Sequence, residues 1–158
     1  PDVAWRYAEA ISACLDVEVV VANAPQQAVT GCDLVVTAGP ILKVPHATIQ
    51  AGWLDKGAFA SLVDYDSYWH RDALNEADKF CTDDLPQLLY YQQAGYFQGI
   101  PPVYAEVGAL VAGRKPGRTS PTERTMTANL GIAMDDMAVA PLVYRRAVDK
   151  EVGTWLEL

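Results

Sequence analysis

Residues 57–70 read Gly-Ala-Phe-Ala-Ser-Leu-Val-Asp-Tyr-Asp-Ser-Tyr-Trp-His. A glycine opens the stretch, Ala58 to Val63 is apolar for about the length of one buried strand, and a polar, aromatic patch from Asp64 to His70 closes it. The same grammar recurs on both sides. Upstream, Asp33 leads into Leu34 to Ala38, and a β-branched run, Val17 and Val19 to Val21, is apolar on both faces. Downstream, Lys79 to Thr82 is a fourth such run. Helical signals fill the intervals. Ala4, Tyr7, Ala8, Ile11, Cys14 and Leu15 space a helix that runs to about Leu15, and Asn23 to Gly31, with Pro25, makes a short one. Ile41 to Asp55 predicts a loop with a short helix near His46 to Ala51, and a helical piece follows His70 as far as Ala77. Asp84, Pro86 and Gln87 open a helix that reaches Ala94 and stops at Gly95. Beyond the Pro101-Pro102 break, Ala105 to Ala112 is expected as a helix and Gly113 to Pro121 as a loop. Ile132 to Asp149 follows as a long amphipathic helix kinked at Pro141. Strands alternating with helices predict an α/β fold, with a mostly parallel sheet and helices on both of its faces.

The composition sets bounds on this fold. The chain has 158 residues, 51% of them hydrophobic, enough for a packed core and too apolar for a disordered chain. Lys and Arg total 12 against 20 Asp and Glu, a formal net charge of -8, and only Arg114, Lys115 and Arg118 cluster. Nucleic-acid phosphates need a basic face, so no nucleic-acid partner is expected. No apolar run approaches the roughly 18 residues of a membrane span, and no secretory leader opens the chain, so a soluble protein without a membrane partner is expected. Cys14, Cys32 and Cys81 are odd in number, lack CxxC spacing and sit among apolar neighbours. Free thiols in a reducing, cytoplasmic compartment follow as the expectation. Residue 1 is Pro, which suggests a processed or truncated chain.

Parallel α/β sheets bind ligands beyond the carboxyl ends of their strands. The segments there are Ala22 to Ala24, Thr37 to Pro40, Asp64 to His70, and Thr82 to Asp84. Asp64, Asp66 and His70 are the densest titratable group among them. Two carboxylates two residues apart can converge, and repulsion with partial burial would raise one pKa toward acid/base work. A solvated loop whose aspartates cap the next helix, or a metal site made by the same three residues, are the alternatives. Thr37 to Pro40 offers small side chains and a hydroxyl where a cofactor could approach the backbone, or simply ends a strand. Gly113 to Arg118 is an anion loop or a solvated turn, and neither a P-loop nor a GxGxxG turn is present. Met126, Met134 and Met137 read as core filler and His46 as structural.

In order, residues 31–38 (GCDLVVTA), 57–66 (GAFASLVDYD), 113–120 (GRKPGRTS) and 129–138 (NLGIAMDDMA) resemble successive motifs of the ornithine cyclodeaminase and mu-crystallin family of NAD(P)-dependent proteins. The likeness covers nearly the whole chain. It implies a Rossmann domain set between segments that form a dimerisation and substrate domain. Residues 1–100 would then be a partial dinucleotide-binding domain. Residues 101–158 would be a C-terminal segment whose long helix returns to the cofactor pocket and the dimerisation domain. By position, Asp66 falls on the family's catalytic aspartate, while Thr37, Ala38, Gly39, Val63, Asp64, Tyr65, Gly131 and Ile132 fall around NAD or NADP. Where the family commonly follows the aspartate with Pro-Gly-Lys-x-Glu, this chain has Ser67-Tyr68-Trp69-His70-Arg71, whose bulky aromatics imply a reshaped substrate pocket lined by Tyr68, Trp69 and His70. Asp64 replaces a usual glycine, either raising the pKa of Asp66 or facing solvent.

The expected partners are an amino acid or an imino or keto acid substrate, a second copy of the chain, and an N-terminal part of the same protein carrying the pyrophosphate turn. In the Rossmann order 3-2-1-4-5-6, the run at Val17 would be the third strand, two empty sites away from Leu34, and Leu34, Ala58 and Lys79 would begin the fourth to sixth. The resemblance implies a lyase or dehydrogenase when the protein is whole and an inactive 158-residue piece. A non-catalytic dinucleotide-binding protein of the mu-crystallin type is the alternative, and no resident metal is expected.

Overall fold

A computed structural model describes residues 2–156; Pro1, Glu157 and Leu158 lie outside them. The core is one all-parallel sheet of five short strands: β1 (Leu34–Thr37), β2 (Phe59–Leu62), β3 (Lys79–Thr82), β4 (Val103–Glu106) and β5 (Thr125–Ala128). Their spatial order is β1-β2-β5-β3-β4. Phe59 stands beside Leu34 on one side and Thr125 on the other, and Thr125 in turn faces Lys79. The fold is thus a Rossmann-like α/β sheet, and its middle strand is the last to be made.

Strand periodicity divides the sheet into two unlike faces. Val35, Ala60, Leu62, Phe80, Met126 and Ala128 point to one face and are buried there. Leu74 of α2 (Arg71–Leu74) and Leu88 of α3 (Leu85–Gln93) join that core, with Trp69 and Phe97 from the intervening loops. The other face carries Phe59 and Cys81, over which Val107 and Leu110 of α4 (Val107–Val111) and Tyr104 enclose a cavity of about 260 Å³. Toward the β1 edge this face opens, leaving Leu34 and Val36 exposed. The outer helices α1 (Asp2–Leu15) and α5 (Ala133–Asp149) contribute little to the core. Trp5 and Tyr7 of α1, and Met134, Met137 and Tyr144 of α5, are exposed.

Four local expectations are corrected by tertiary pairing. Val17 to Val21 is not a strand; Val17 and Val20 are exposed, and no ladder partner reaches them among the described residues. A β-branched run cannot become a strand with nothing to pair against, and β1 is the edge of the sheet. Residues 46–51 form no helix, because the Thr48 and Ile49 N–H groups donate to the Tyr68 carbonyl and Ile49 bridges Trp69. Helix formation from Ala105 yields to the strand β4, where Ala105 pairs with Cys81, and α4 starts only at Val107. Thr125–Ala128, for which the sequence predicts no element, is the central strand, so β2 and β3 are not adjacent. Lys79–Thr82, the end of α1 at Leu15 and the start of α3 agree with the expectation. At α3 the Asp84 side chain accepts the Gln87 N–H at 2.7 Å. Pro25 begins a single 3₁₀ turn, Pro25–Ala28, and α5 continues through Pro141.

Candidate active site at the strand ends

β1 and β2 end together, the Val63 N–H donating to the Thr37 carbonyl at 2.9 Å. That pairing lays Thr37 to Gly39 against Asp64, which is fully buried. Thr37 Oγ1 donates to Asp64 Oδ1 at 2.6 Å, and the Gly39 N–H donates to Oδ2 at 2.9 Å. Trp69 Nε1 donates in turn to Thr37 Oγ1 at 3.2 Å. Ser67 Oγ donates to the Asp64 carbonyl at 2.5 Å and accepts the Leu42 N–H at 2.9 Å. A buried carboxylate with no cation beside it survives only when donors replace its water, and here both oxygens have one. Asp64 therefore does not face solvent; it ties the loop after β1 to the loop after β2.

Asp66, two residues on, has the opposite condition. It is 4% exposed, and its Oδ1 has no hydrogen-bond partner. Burial raises its pKa above the ordinary carboxylate value, and the charge of Asp64 adds to the rise. Hydrogen bonds from its own backbone and that of Phe97 pull the other way. Trp69, His70, Arg71 and Gln98 share with Asp66 a cavity of about 230 Å³. The turn that aims Asp66 there passes through Tyr65 at φ 62, a left-handed conformation uncommon for a tyrosine. Packing holds it: the Tyr65 ring sits 4.8 Å from Phe97 and 5.2 Å from Tyr91, centroid to centroid. Burial also raises the Tyr65 pKa. The Tyr65 ring thus points into the protein, and its backbone is what lies along the strand end.

The aromatic and histidine residues after Asp66 divide between two cavities. Trp69 and His70 line the one that holds Asp66. Tyr68 lines another, of about 380 Å³, with Val36, Thr37 and Ile49 beside the β1 edge. Its ring lies so close to Gly39 that a Cβ there would overlap it, which explains the glycine. His70 is half exposed, with Nδ1 3.8 Å from Asp72. Among the described residues no three His, Cys, Asp or Glu side chains assemble as metal ligands.

A third carboxylate, within the strand-end segment Thr82 to Asp84 but given no role by the sequence, completes the rim. Asp83, just past β3, accepts the Leu130 and Gly131 N–H groups with Oδ2, both at 2.7 Å. Its Oδ1 accepts the Asp84 N–H at 3.0 Å. Gly131 has φ 80, and a Cβ there would meet nothing within 4 Å, so one side of this turn is open. The partners of Asp83 lie 47 and 48 residues away, a distance that no local motif reveals.

Comparison with known proteins places this geometry among relatives. The sequence profile of the ornithine cyclodeaminase/mu-crystallin family matches residues 1–151. Alanine dehydrogenase of Archaeoglobus fulgidus is 28% identical over 152 residues, covering 91% of this chain and 46% of that protein. Among solved structures, Thermococcus litoralis Delta(1)-pyrroline-2-carboxylate reductase in complex with NADH and L-proline superposes with a TM-score of 0.79 at 23% identity. The match covers 99% of this chain and 50% of that one. An archaeal alanine dehydrogenase dimer with bound NAD gives a TM-score of 0.71 at 26% identity over 99% of this chain and 51% of the other. The chain spans about half the length of the relatives it matches.

Proposed function

We propose, from the premise that this chain belongs to the ornithine cyclodeaminase/mu-crystallin family, that it is part of an NAD(P)-dependent enzyme. That enzyme transfers hydride at the α carbon of an amino or imino acid. The observation that carries the proposal is the orphaned Oδ1 of Asp66, a buried carboxylate at a strand end whose pKa is raised. Burying a polar atom without a partner is costly, and such groups concentrate where a ligand supplies the missing bond. An acid/base group with its pKa moved toward the working pH suits proton transfer to or from a nitrogen or water at the reacting carbon.

The residues present fit the nicotinamide side of a dinucleotide. The open side of the Gly131 turn leaves room for a flat ring to approach the backbone, and Thr37 to Gly39 and Val63 to Tyr65 line the strand ends opposite. When bound, the dinucleotide supplies the hydride donor or acceptor. Asp64 keeps the two loops in register, and Asp66 holds or moves the proton. Trp69, His70 and Tyr68 bound the space left for a substrate. In the order 3-2-1-4-5-6 the dinucleotide crevice lies between strands 1 and 4, and β1 stands in the position of strand 4 with its outer edge unpaired. The pyrophosphate turn and the missing ladder partners then belong to an N-terminal part of the same protein, with α5 as the arm of a dimerisation domain.

The test uses the full-length protein. Oxidation or formation of NADH and NADPH, followed by absorbance over a panel of amino and keto acids, is expected to show turnover that Asp66→Asn abolishes while dinucleotide binding persists. Dinucleotide binding with no turnover over the panel would instead support a binding protein of the mu-crystallin type. Full turnover by Asp66→Asn would overturn the role of Asp66.

A further inference from the structure

We infer that Asp83, assisted by Gln87, is a positioning residue that sets the Leu130–Gly131–Ile132 turn for dinucleotide binding, an inference that rests on the function proposed above. The turn is where the chain leaves the central strand β5, at the carboxyl end of the sheet, and begins α5. Two consecutive backbone N–H groups converge there, a concavity suited to an anion. The Asp83 carboxylate fills it from β3, both bonds measuring 2.7 Å. Gln87 Nε2 donates to the Gly131 carbonyl at 3.3 Å, so the peptide units on both sides of Gly131 are held. Asp83 and Gln87 are themselves fixed. Asp83 Oδ1 accepts the Asp84 N–H at 3.0 Å, and the Gln87 N–H donates to Asp84 Oδ1 at 2.7 Å.

This clamp answers a specific need. Gly131, at φ 80, has open space for 4 Å around the point where a Cβ would stand, so nothing confines the turn on that side. A glycine left to itself populates several conformations at similar free energy. Without Asp83, ordering the turn would fall on the ligand, weakening affinity while leaving the reacting groups at Asp66 as they are. The Asp83 carboxylate also occupies the two N–H groups, so a cofactor phosphate cannot use them. The rim is built for a ring or an amide approaching the open side of Gly131.

The experiment measures KM and Kd for NADH or NADPH, kcat and Tm on the full-length protein and its variants. Asp83→Ala is expected to raise the dinucleotide KM and Kd about tenfold, as loss of two charge-assisted hydrogen bonds from a preorganised turn implies, with kcat within about twofold. Asp83→Asn retains an acceptor for the two N–H groups and should restore most of the affinity. Gln87→Ala, which removes one longer bond, should raise KM about two- to threefold. A lowered Tm with unchanged KM and Kd in Asp83→Ala would make Asp83 purely structural and overturn the inference. If Asp83→Ala does not fold, an unchanged KM in Gln87→Ala overturns it instead. A wild-type protein that binds no dinucleotide removes the functional proposal and this one together, whereas a binding wild type with insensitive clamp variants removes only the clamp.

Discussion

At the amino ends of the strands, cations and carboxylates meet each other and the backbone; at the carboxyl ends, three aspartates gather, and the donors to Asp64 and Asp83 are a hydroxyl and backbone N–H groups. Lys79 Nζ, at the start of β3, reaches Glu123 Oε2 at 3.0 Å, the Gly117 carbonyl at 2.6 Å and Thr119 Oγ1 at 3.1 Å. Arg118 donates to the Gly57 carbonyl and to Thr125 Oγ1, and Arg124 Nε donates to the Leu54 carbonyl. These bonds fasten the loop before β5 to the starts of β2 and β3. Asp64, Asp66 and Asp83 at the other end depend on hydroxyl and backbone N–H donors, and one Asp66 oxygen has none. The amino end is arranged for cohesion. The carboxyl end keeps negative charge in reserve beside space for a ligand, which is where parallel sheets place their chemistry.

The largest expected effect is at the hinge of this comparison, Trp69. It is 2% exposed, packs in the core and ties Thr37 to the loop after β2. Trp69→Ala should cost about 3–5 kcal/mol in denaturant unfolding, the range for deleting a buried aromatic. A loss below about 1 kcal/mol would mean that the carboxyl-end loops hold together without it. Next comes Asp64→Ala, which strands the Thr37 hydroxyl and the Gly39 N–H without an acceptor. It should cost about 1–3 kcal/mol and loosen Thr37 to Gly39. Proteolysis or amide exchange of residues 37–42 is the measurement that separates this local loosening from a uniform loss.

How much of this contrast is legible in sequence differs between the two ends. β3 and the Asp84 cap are readable because each is decided by neighbours within a few residues. β5 is not: Thr125-Met126-Thr127-Ala128 is a polar-apolar alternation of four residues, and what makes it central is pairing with β2 and β3. Val17 to Val21 shows the reverse, strong strand composition with no partner among the described residues to realise it. Asp64 and Asp66 are visible as a pair, but spacing cannot say that one is saturated with donors and the other is not. Asp83 is invisible as a clamp, since its meaning resides in Leu130 and Gly131.

Asp66→Asn should move in the opposite direction from Asp64→Ala. A carboxyl whose folded pKa is raised contributes its stability below the ordinary carboxylate range and loses it as pH rises through the folded value. Above the ordinary carboxylate range the raised pKa costs the folded wild type stability that a neutral amide does not lose, so Asp66→Asn should raise Tm there while removing turnover. Below about pH 3, where Asp is protonated in both states, the Tm difference should close. An equal Tm difference at both pH values would show that packing, not charge, separates the two proteins.

The smallest effect belongs to the amino end and has the reverse sign in pH. Glu123 is held down to about 2 by the Thr119 N–H and hydroxyl, and then by Lys79. A carboxylate whose folded pKa is depressed contributes stability above its unfolded value, near 4.3, and loses it as pH falls toward about 2. The wild type should accordingly lose stability between those limits more steeply than Glu123→Gln, and the two curves should run parallel above about pH 6. Because Glu123 interacts near the surface, added salt should shrink the Lys79 share of this difference and leave the share from Thr119. Identical acid slopes for the two proteins would mean that the Glu123 carboxylate adds nothing, and that the loop before β5 is fastened by the bonds of Lys79, Arg118 and Arg124 to backbone and hydroxyl oxygens.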